Sequence, residues 1–150
     1  MPVERLPRDT IFKPMKMTRE ATLAKHIMEE AATCKIYENI KDVAKKIVEK
    51  EVNHIVIVDE ENKIVGLITS FDITKAVAEN AKTLSEIMVK QVITASPDES
   101  IYSCARKLER YRISALPVID KNGKVLGMVT SEKISALIGK GEKIEGGIKI

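Results

Sequence analysis

The sequence lacks tryptophan, and aromatic residues make up only 3% of its 150 residues. Stacking platforms for single-stranded nucleic acid are therefore scarce. No apolar run approaches the roughly 20 residues that a membrane-spanning helix needs. The N-terminal residues MPVERLPRD are polar and lack the apolar segment of a signal peptide. We therefore expect a cytoplasmic protein that does not contact a membrane.

Cysteine and histidine are also scarce, with two of each. Cys34 and Cys104 form no CxxC or Cys/His cluster, and Cys104 falls on the apolar face of a predicted helix, where a buried thiol is expected. His26 and His54 lie too far apart in the chain to suggest a metal site. The sequence also lacks a nucleophile–base pair and a phosphate-binding glycine loop. These absences argue against an enzyme.

A surplus of positive charge is missing from most of the chain. Residues 1–25 hold six Lys or Arg and three Asp or Glu, whereas residues 26–150 hold 19 of each. A body without a field of one sign does not attract phosphates. Nucleic-acid binding therefore stays an alternative only through a basic N-terminal arm, residues 1–20. A solvated linker is the simpler interpretation of that arm, which contains three prolines and no periodicity.

What the sequence does contain is an internal repeat. Residues 40–77 align without a gap to residues 101–138 at an offset of 61, and nine of the 38 positions are identical. Self-similarity of this kind indicates two copies of one structural unit. Because a unit of about 55 residues buries little surface alone, we expect the two copies to pack sheet against sheet around an approximate two-fold axis.

Each copy has the pattern β-α-β-β-α. Apolar residues at helical spacing predict helices that begin near Ile40 and Ile101. Two β-branched runs then predict a hairpin in each copy, at 55–58 and 64–68 and at 116–119 and 125–129. A short strand is expected before each first helix, near Thr33 and at Val92–Thr94. The predicted class is therefore α/β (α+β), with an arm at 1–20, motifs at 21–80 and 81–140, and a tail at 141–150.

Three segments carry a more specific signal: GLITSFD (66–72), ISALPVID (113–120) and GMVTSEK (127–133). Within a duplicated frame they resemble a tandem pair of CBS domains, called a Bateman module, over roughly residues 24–140, in the style of archaeal or thermophile regulatory proteins. The resemblance implies a cleft that binds S-adenosylmethionine, methylthioadenosine, AMP, ADP or ATP. It implies a change of inter-motif angle on binding, a homodimer of pairs, and a fused or separate effector domain.

Thr69, Ser70 and Asp72 lie at a predicted strand-to-helix junction. Ser70 is placed to cap the helix, and Asp72 falls in the first turn, where the helix dipole favours a carboxylate. That carboxylate can accept hydrogen bonds from two neighbouring hydroxyls, as on a ribose, although an ordinary first-turn acid has the same spacing. The resemblance implies the ribose-binding role.

The resemblance also implies that the second copy supplies the adenine pocket. The residues carried over by motif are Val92, Ile93, Thr94, Ile113, Ser114, Ala115 and Pro117. The apolar members would sandwich the purine, although core roles for Val92 and Ile113 stay open. Asn53 and His54 are expected near the ligand tail, with a solvent-exposed strand end as the alternative for His54. Met88 or Ile113 would form an apolar slot for a thioether.

The pseudo-symmetric site departs from the family pattern. Lys133 replaces the Asp, and an ammonium cannot accept from ribose hydroxyls; Val56 stands where Pro117 stands in the second copy. We therefore expect one functional cleft and one degenerate cleft, formed around Thr130 and Lys133, unless Lys133 reaches an anionic tail. The residues leave the adenosyl compound open, with a preference for a sulfur-containing one. A ligand-free dimerisation or docking scaffold is the main alternative.

Overall fold

The structure, a computed structural model, describes residues 22–138. The predicted arm and the predicted tail lie outside these residues. The first motif contains α1 (Ala24–Ile27), β1 (Thr33–Cys34), α2 (Ile40–Lys50), β2 (His54–Val58), β3 (Ile64–Thr69) and α3 (Ser70–Glu79). The second contains α4 (Leu84–Ile87), α5 (Ile101–Tyr111), β4 (Ala115–Ile119), β5 (Val125–Thr130) and α6 (Ser131–Ile138). The predicted α/β class and the two tandem motifs are confirmed.

The two long helices begin and end by the same local rules. Asn39 caps α2 by accepting from the Asp42 N–H, and Ser100 caps α5 by accepting from the Ser103 N–H. Both helices end at a residue in the left-handed conformation, Glu51 with φ 54° and Arg112 with φ 55°. These ends direct the chain into β2 and β4, so both hairpins are entered in the same way.

The two hairpins pack face to face and share one apolar layer. Its buried residues are Val56, Val58, Leu67, Ala115, Val125 and Met128. The hairpin turns also meet: the Ile64 N–H donates to the Gly123 carbonyl at 3.0 Å, and the Val125 N–H donates to the Asn62 carbonyl at 3.0 Å. Both pairs are related by the offset of 61, which confirms sheet-to-sheet packing around a pseudo-two-fold axis.

The first strand differs between the motifs. In the first motif β1 pairs in parallel with β2, and the Val56 N–H donates to the Ala32 carbonyl at 2.8 Å. In the second motif the equivalent of Val56 is Pro117, which has no N–H to donate. The predicted strand at Val92–Thr94 is therefore wrong in extent: only Ala95 forms a bridge, to Val118.

The short leading helices are exchanged between the motifs. Leu84 of α4 is fully buried in the core of the first motif, whereas Ala24 of α1 is fully buried in the core of the second. After each helix the chain adds to the opposite hairpin, with Val89 bridged to Leu67 and Glu29 bridged to Met128. Each sheet edge is thus completed by backbone from the other repeat.

Candidate functional site

The open ends of the two hairpins, opposite their turns, enclose a cleft of about 810 Å³. We call it the first cleft. Nine of its lining residues were predicted from the sequence: Asn53, His54, Thr69, Ser70, Val92, Ile93, Ile113, Ser114 and Ala115. The end of β3 contributes one side, and the segments before α5 and β4 contribute the other. The structure therefore brings most of the candidate residues together from both motifs.

Thr69, not Ser70, is the N-cap of α3. The Thr69 Oγ1 accepts from the Asp72 N–H at 3.1 Å, and the Asp72 Oδ2 accepts from the Thr69 N–H and Oγ1, both at 2.9 Å. This reciprocal arrangement is a capping box. The sequence-based assignment of Ser70 as the cap was wrong because α3 begins at Ser70 itself, one residue earlier than a Ser70 cap requires. Ser70 instead donates from Oγ to the Asn53 Oδ1 at 2.9 Å.

Asp72 lies directly behind Thr69 and is not itself part of the cleft lining. Both of its side-chain hydrogen bonds use Oδ2, and within residues 22–138 no donor bonds to Oδ1. A half-buried carboxylate with one free oxygen can accept from a ligand hydroxyl that reaches the cleft edge. The helix dipole keeps a negative charge favourable there.

Three other predicted residues lie outside the lining. Thr94 turns its carbonyl toward Lys107, whose Nζ donates to it at 2.8 Å. Pro117 is buried within β4, behind the cleft. Because Pro117 has no N–H to donate, the Ile93 carbonyl lacks its strand partner, and no other described donor bonds to it. Met88 packs on Gly66, where an added Cβ would meet the Met88 Sδ at 2.8 Å. Met88 is thus not part of the described lining, in which Val89 stands instead, and its contribution to a thioether slot stays a prediction.

Several lining residues were not among the predicted site residues. Phe71 is 72% exposed and stands between Ser70 and Asp72, so its position in the motif was a signal that could have been used. Gln91 and Tyr111 carried no such signal. Arg112 is, within the described lining, the only residue with a permanent positive charge.

A smaller second cleft of about 280 Å³ lies at the pseudo-symmetric position. Its lining includes Thr130 and four acids, which are Glu29, Glu30, Glu51 and Glu132. The Lys133 N–H still donates to the Thr130 Oγ1 at 3.1 Å, so the cap survives without its reciprocal carboxylate. The Lys133 Nζ lies 3.9 Å from the Glu29 Oε2. The second cleft therefore has no counterpart of the Asp72 oxygens at this position.

His54 lines both clefts, and its Nε2 lies 3.3 Å from the Ser114 Oγ. Burial lowers the pKa of His54, and the charge of Asp72 opposes that change. The imidazole is therefore neutral near pH 7 and can both donate and accept a hydrogen bond. The two thiols are unreactive, because burial raises the pKa of Cys34 and of Cys104 to about 11.

Two further properties concern the described residues as a whole. Across residues 22–138, every helix is too short or too polar to cross a bilayer. In the same part of the chain, no three His, Cys, Asp or Glu side chains are grouped as metal ligands would be.

Curated relatives match most of this chain but are much longer than it. L-aspartate semialdehyde sulfurtransferase of Methanosarcina acetivorans is 43% identical over 93% of the chain and 28% of that protein. The protein of the same name from Methanocaldococcus jannaschii is 46% identical over 85% of the chain and 25% of that protein. Homoserine O-acetyltransferase of Methanohalobium evestigatum is 50% identical over 75% of the chain and 23% of that protein. The chain thus spans about a quarter of these relatives.

A solved structure gives the same architecture. The CBS domain pair of protein MJ0100, in complex with 5′-methylthioadenosine and S-adenosyl-L-methionine, is 46% identical, with a TM-score of 0.77 over 79% of this chain and 97% of that one. CBSX2 in complex with AMP, 20% identical with a TM-score of 0.70 over 77% of this chain and 95% of that one, shows the fold alone. The CBS domain model matches residues 24–79 and 84–140. The chain therefore belongs to the CBS domain family and carries two CBS domains in tandem.

Proposed function

We propose that this chain is a regulatory module that binds a sulfur-containing adenosyl compound, methylthioadenosine or S-adenosylmethionine, in the first cleft. The observation that carries the proposal is the capping box that holds Asp72 against Thr69, which lines the first cleft together with Val92 and Ile113. No donor among residues 22–138 uses the Asp72 Oδ1. A structure 46% identical to this chain holds both compounds.

The proposed contacts follow from the chemistry of each group. Asp72 accepts from the ribose hydroxyls through Oδ1, with Thr69 holding the carboxylate in place. Val92 and Ile113 supply apolar surface for the two faces of the purine. The carbonyl of Ile93 accepts from the exocyclic amine of adenine, because Pro117 leaves that carbonyl without its ladder donor.

Charge around the first cleft favours a sulfur ligand over a phosphate. A neutral His54 offers no positive charge, Asp72 is negative, and Arg112 is exposed at the end of α5. A 5′-phosphate bound here would be attracted by the Arg112 guanidinium and repelled by the Asp72 carboxylate. A thioether or a sulfonium avoids that repulsion, and Val89 and Ile113 offer it apolar contact.

Binding would act on a larger protein. The enzyme-named relatives extend far beyond the region matched, so we assign sensing, and not catalysis, to this chain, and propose a fused or separate effector. We also propose a homodimer through the helices, because Val48, Phe71 and Val77 are each exposed by more than 70%. A change in the angle between the motifs would carry the signal, pivoting about the joined hairpin turns.

Isothermal titration calorimetry with methylthioadenosine, S-adenosylmethionine, AMP and ATP tests the proposal. A ligand at about 100 times its Kd should also stabilise the chain by about 2.7 kcal/mol in thermal unfolding. Asp72→Ala should abolish the binding, whereas Asp42→Ala, which removes the first-turn acid of α2, should leave it intact. Binding that survives Asp72→Ala would overturn the site. Absence of binding by the wild type would favour the scaffold, and salt-dependent RNA retention lost on deleting residues 1–20 would favour nucleic-acid binding.

A further inference from the structure

A lysine–glutamate pair holds the backbone at the same place in both motifs. The Lys107 Nζ donates to the Thr94 carbonyl at 2.8 Å and lies 3.0 Å from a Glu99 oxygen. In the first motif the Lys46 Nζ donates to the Thr33 carbonyl at 3.0 Å and lies 3.0 Å from the Glu38 Oε1. All three positions are related by the offset of 61. We call each arrangement a lysine clamp.

The glutamate of the second clamp is the more buried of the two glutamates, whereas the two lysines are exposed to a similar extent. The Glu99 side chain is 13% exposed, against 24% for Glu38. Glu99 also accepts from the Ser103 Oγ at 2.6 Å, where the first motif has Asp42 in place of the serine. Burial alone would raise the pKa of Glu99, but the hydrogen bonds from Ser103 and Lys107 lower it overall. The carboxylate therefore stays charged and holds Lys107 in place.

The two clamps act on backbone that is anchored differently. In the first motif, the Val56 N–H donates a hydrogen bond to the carbonyl of Ala32, the residue before Thr33. In the second motif Pro117 has no N–H to donate to the Ile93 carbonyl. The strand pairing begins only at Ala95, whose N–H donates to the Pro117 carbonyl at 2.9 Å. The Thr94 carbonyl and the Ala95 N–H belong to one peptide group, so Lys107 and the Pro117 carbonyl together hold the first anchored peptide group after Ile93, whose own carbonyl has no described donor.

We propose that Lys107 is a positioning residue for the adenosyl ligand, acting through Thr94 on the cleft wall formed by Val92 and Ile93. Lys46, its counterpart, has no such role, because the ladder bond of Val56 holds the equivalent backbone. The inference rests on the proposed function of the first cleft. It adds a residue, Lys107, that influences ligand affinity without contacting the ligand.

Lys107→Met and Lys46→Met form a matched pair, since both retain the aliphatic stem and remove the charge. Both should lower the melting temperature by a similar amount. Only Lys107→Met should weaken methylthioadenosine binding at the site that Asp72→Ala abolishes, by about tenfold, the ratio that corresponds to 1.4 kcal/mol. Lys107→Arg, which can still donate to Thr94, should recover most of the affinity.

Hydrogen exchange of the ligand-free protein gives an independent measurement. The Ala95 amide should exchange faster in Lys107→Met, whereas the Cys34 amide should exchange at the wild-type rate in Lys46→Met. Equal loss of affinity in both variants, or wild-type affinity in Lys107→Met, would overturn the proposal. If the wild type bound no adenosyl compound, the proposed function would fail, and the exchange rates would still decide whether the two clamps differ.

Discussion

His54 of the first motif faces Ser114 of the second across the pseudo-two-fold axis, with the histidine Nε2 3.3 Å from the serine Oγ. Both residues line both clefts. A change at this contact therefore reaches the two clefts at once. Burial lowers the pKa of His54, so protonation of this residue works against the folded state.

The first prediction concerns pH. Because the pKa of His54 is lower in the folded chain than its ordinary value of 6.5, the folded state gains a proton less readily than the unfolded state. Its contribution to stability is present above that ordinary value and is lost as the pH falls toward the folded pKa. His54→Gln should therefore reduce the loss of stability between about pH 7.5 and about pH 5.5, the range in which histidine titrates. Urea unfolding at both values measures this, and an unchanged difference would contradict it.

The second prediction concerns Pro117. Pro117→Val supplies the missing N–H, which should bond to the Ile93 carbonyl and extend the short first strand of the motif. Stability should change by less than about 1 kcal/mol, because the new hydrogen bond offsets the greater freedom of the unfolded chain. Methylthioadenosine should bind more weakly, since the carbonyl is no longer free. The opposite change at the equivalent position, Val56→Pro, should destabilise the chain by about 1–3 kcal/mol, because the Ala32 carbonyl loses its donor in a strand that lies between β1 and β3. Tighter binding by Pro117→Val would refute this account.

The third prediction tests the exchanged segment through Gly66. An added Cβ would lie 2.8 Å from the Met88 Sδ and 3.0 Å from the Val89 carbonyl oxygen. The sulfur can move, but the carbonyl is held by the Leu67 N–H at 3.0 Å. Gly66→Ala should therefore cost about 1–3 kcal/mol, as overpacking does in other cores. Chemical denaturation measures the cost, and adding Met88→Ala should relieve only part of it. If Gly66→Ala left the stability unchanged, the segment that contains Met88 and Val89 would not be packed closely against β3.

The fourth prediction concerns the second cleft. Lys133→Asp restores a reciprocal acceptor for the Thr130 cap and places a negative charge in the first turn of α6. It should stabilise the chain by about 0.5 kcal/mol, whereas Lys133→Met removes the cation without adding an acceptor and should not. Calorimetry should then detect a second, weaker adenosyl-binding event. Its absence would show that the missing carboxylate is not what limits this cleft.

The two-motif architecture could be predicted because the same short-range rules operate twice. Asn39 and Ser100 are both N-caps, and the identical residues Thr69 and Thr130 both accept from the N–H three residues later. The apolar runs specify hairpins wherever they occur. Assignment of the cap to Ser70 failed because Thr69 and Ser70 are both good caps, and only the end of β3 decides between them.

Long-range packing could not be predicted in the same way. The apolar character of Ala24 and Leu84 indicates burial but does not say which core receives them. The same limit applies to Met88, whose thioether packs on Gly66 and not in the cleft. Pro117 was recognised only as part of a motif, although its missing donor explains both the short strand and the free carbonyl of Ile93. Gln91 and Tyr111 enter the first cleft through tertiary packing alone.

The exchange of α1 and α4 bears on how such a chain can arise. A lone copy of this motif would present an unpaired sheet edge and an empty place in its core, and a second copy could supply both. An ancestral single-repeat protein with this packing would therefore exist as an intertwined pair of identical chains. Joining the two reading frames would make that partnership permanent. One half would then be free to diverge while the other retained the original chemistry. Lys133, at the position equivalent to Asp72, illustrates such a divergence.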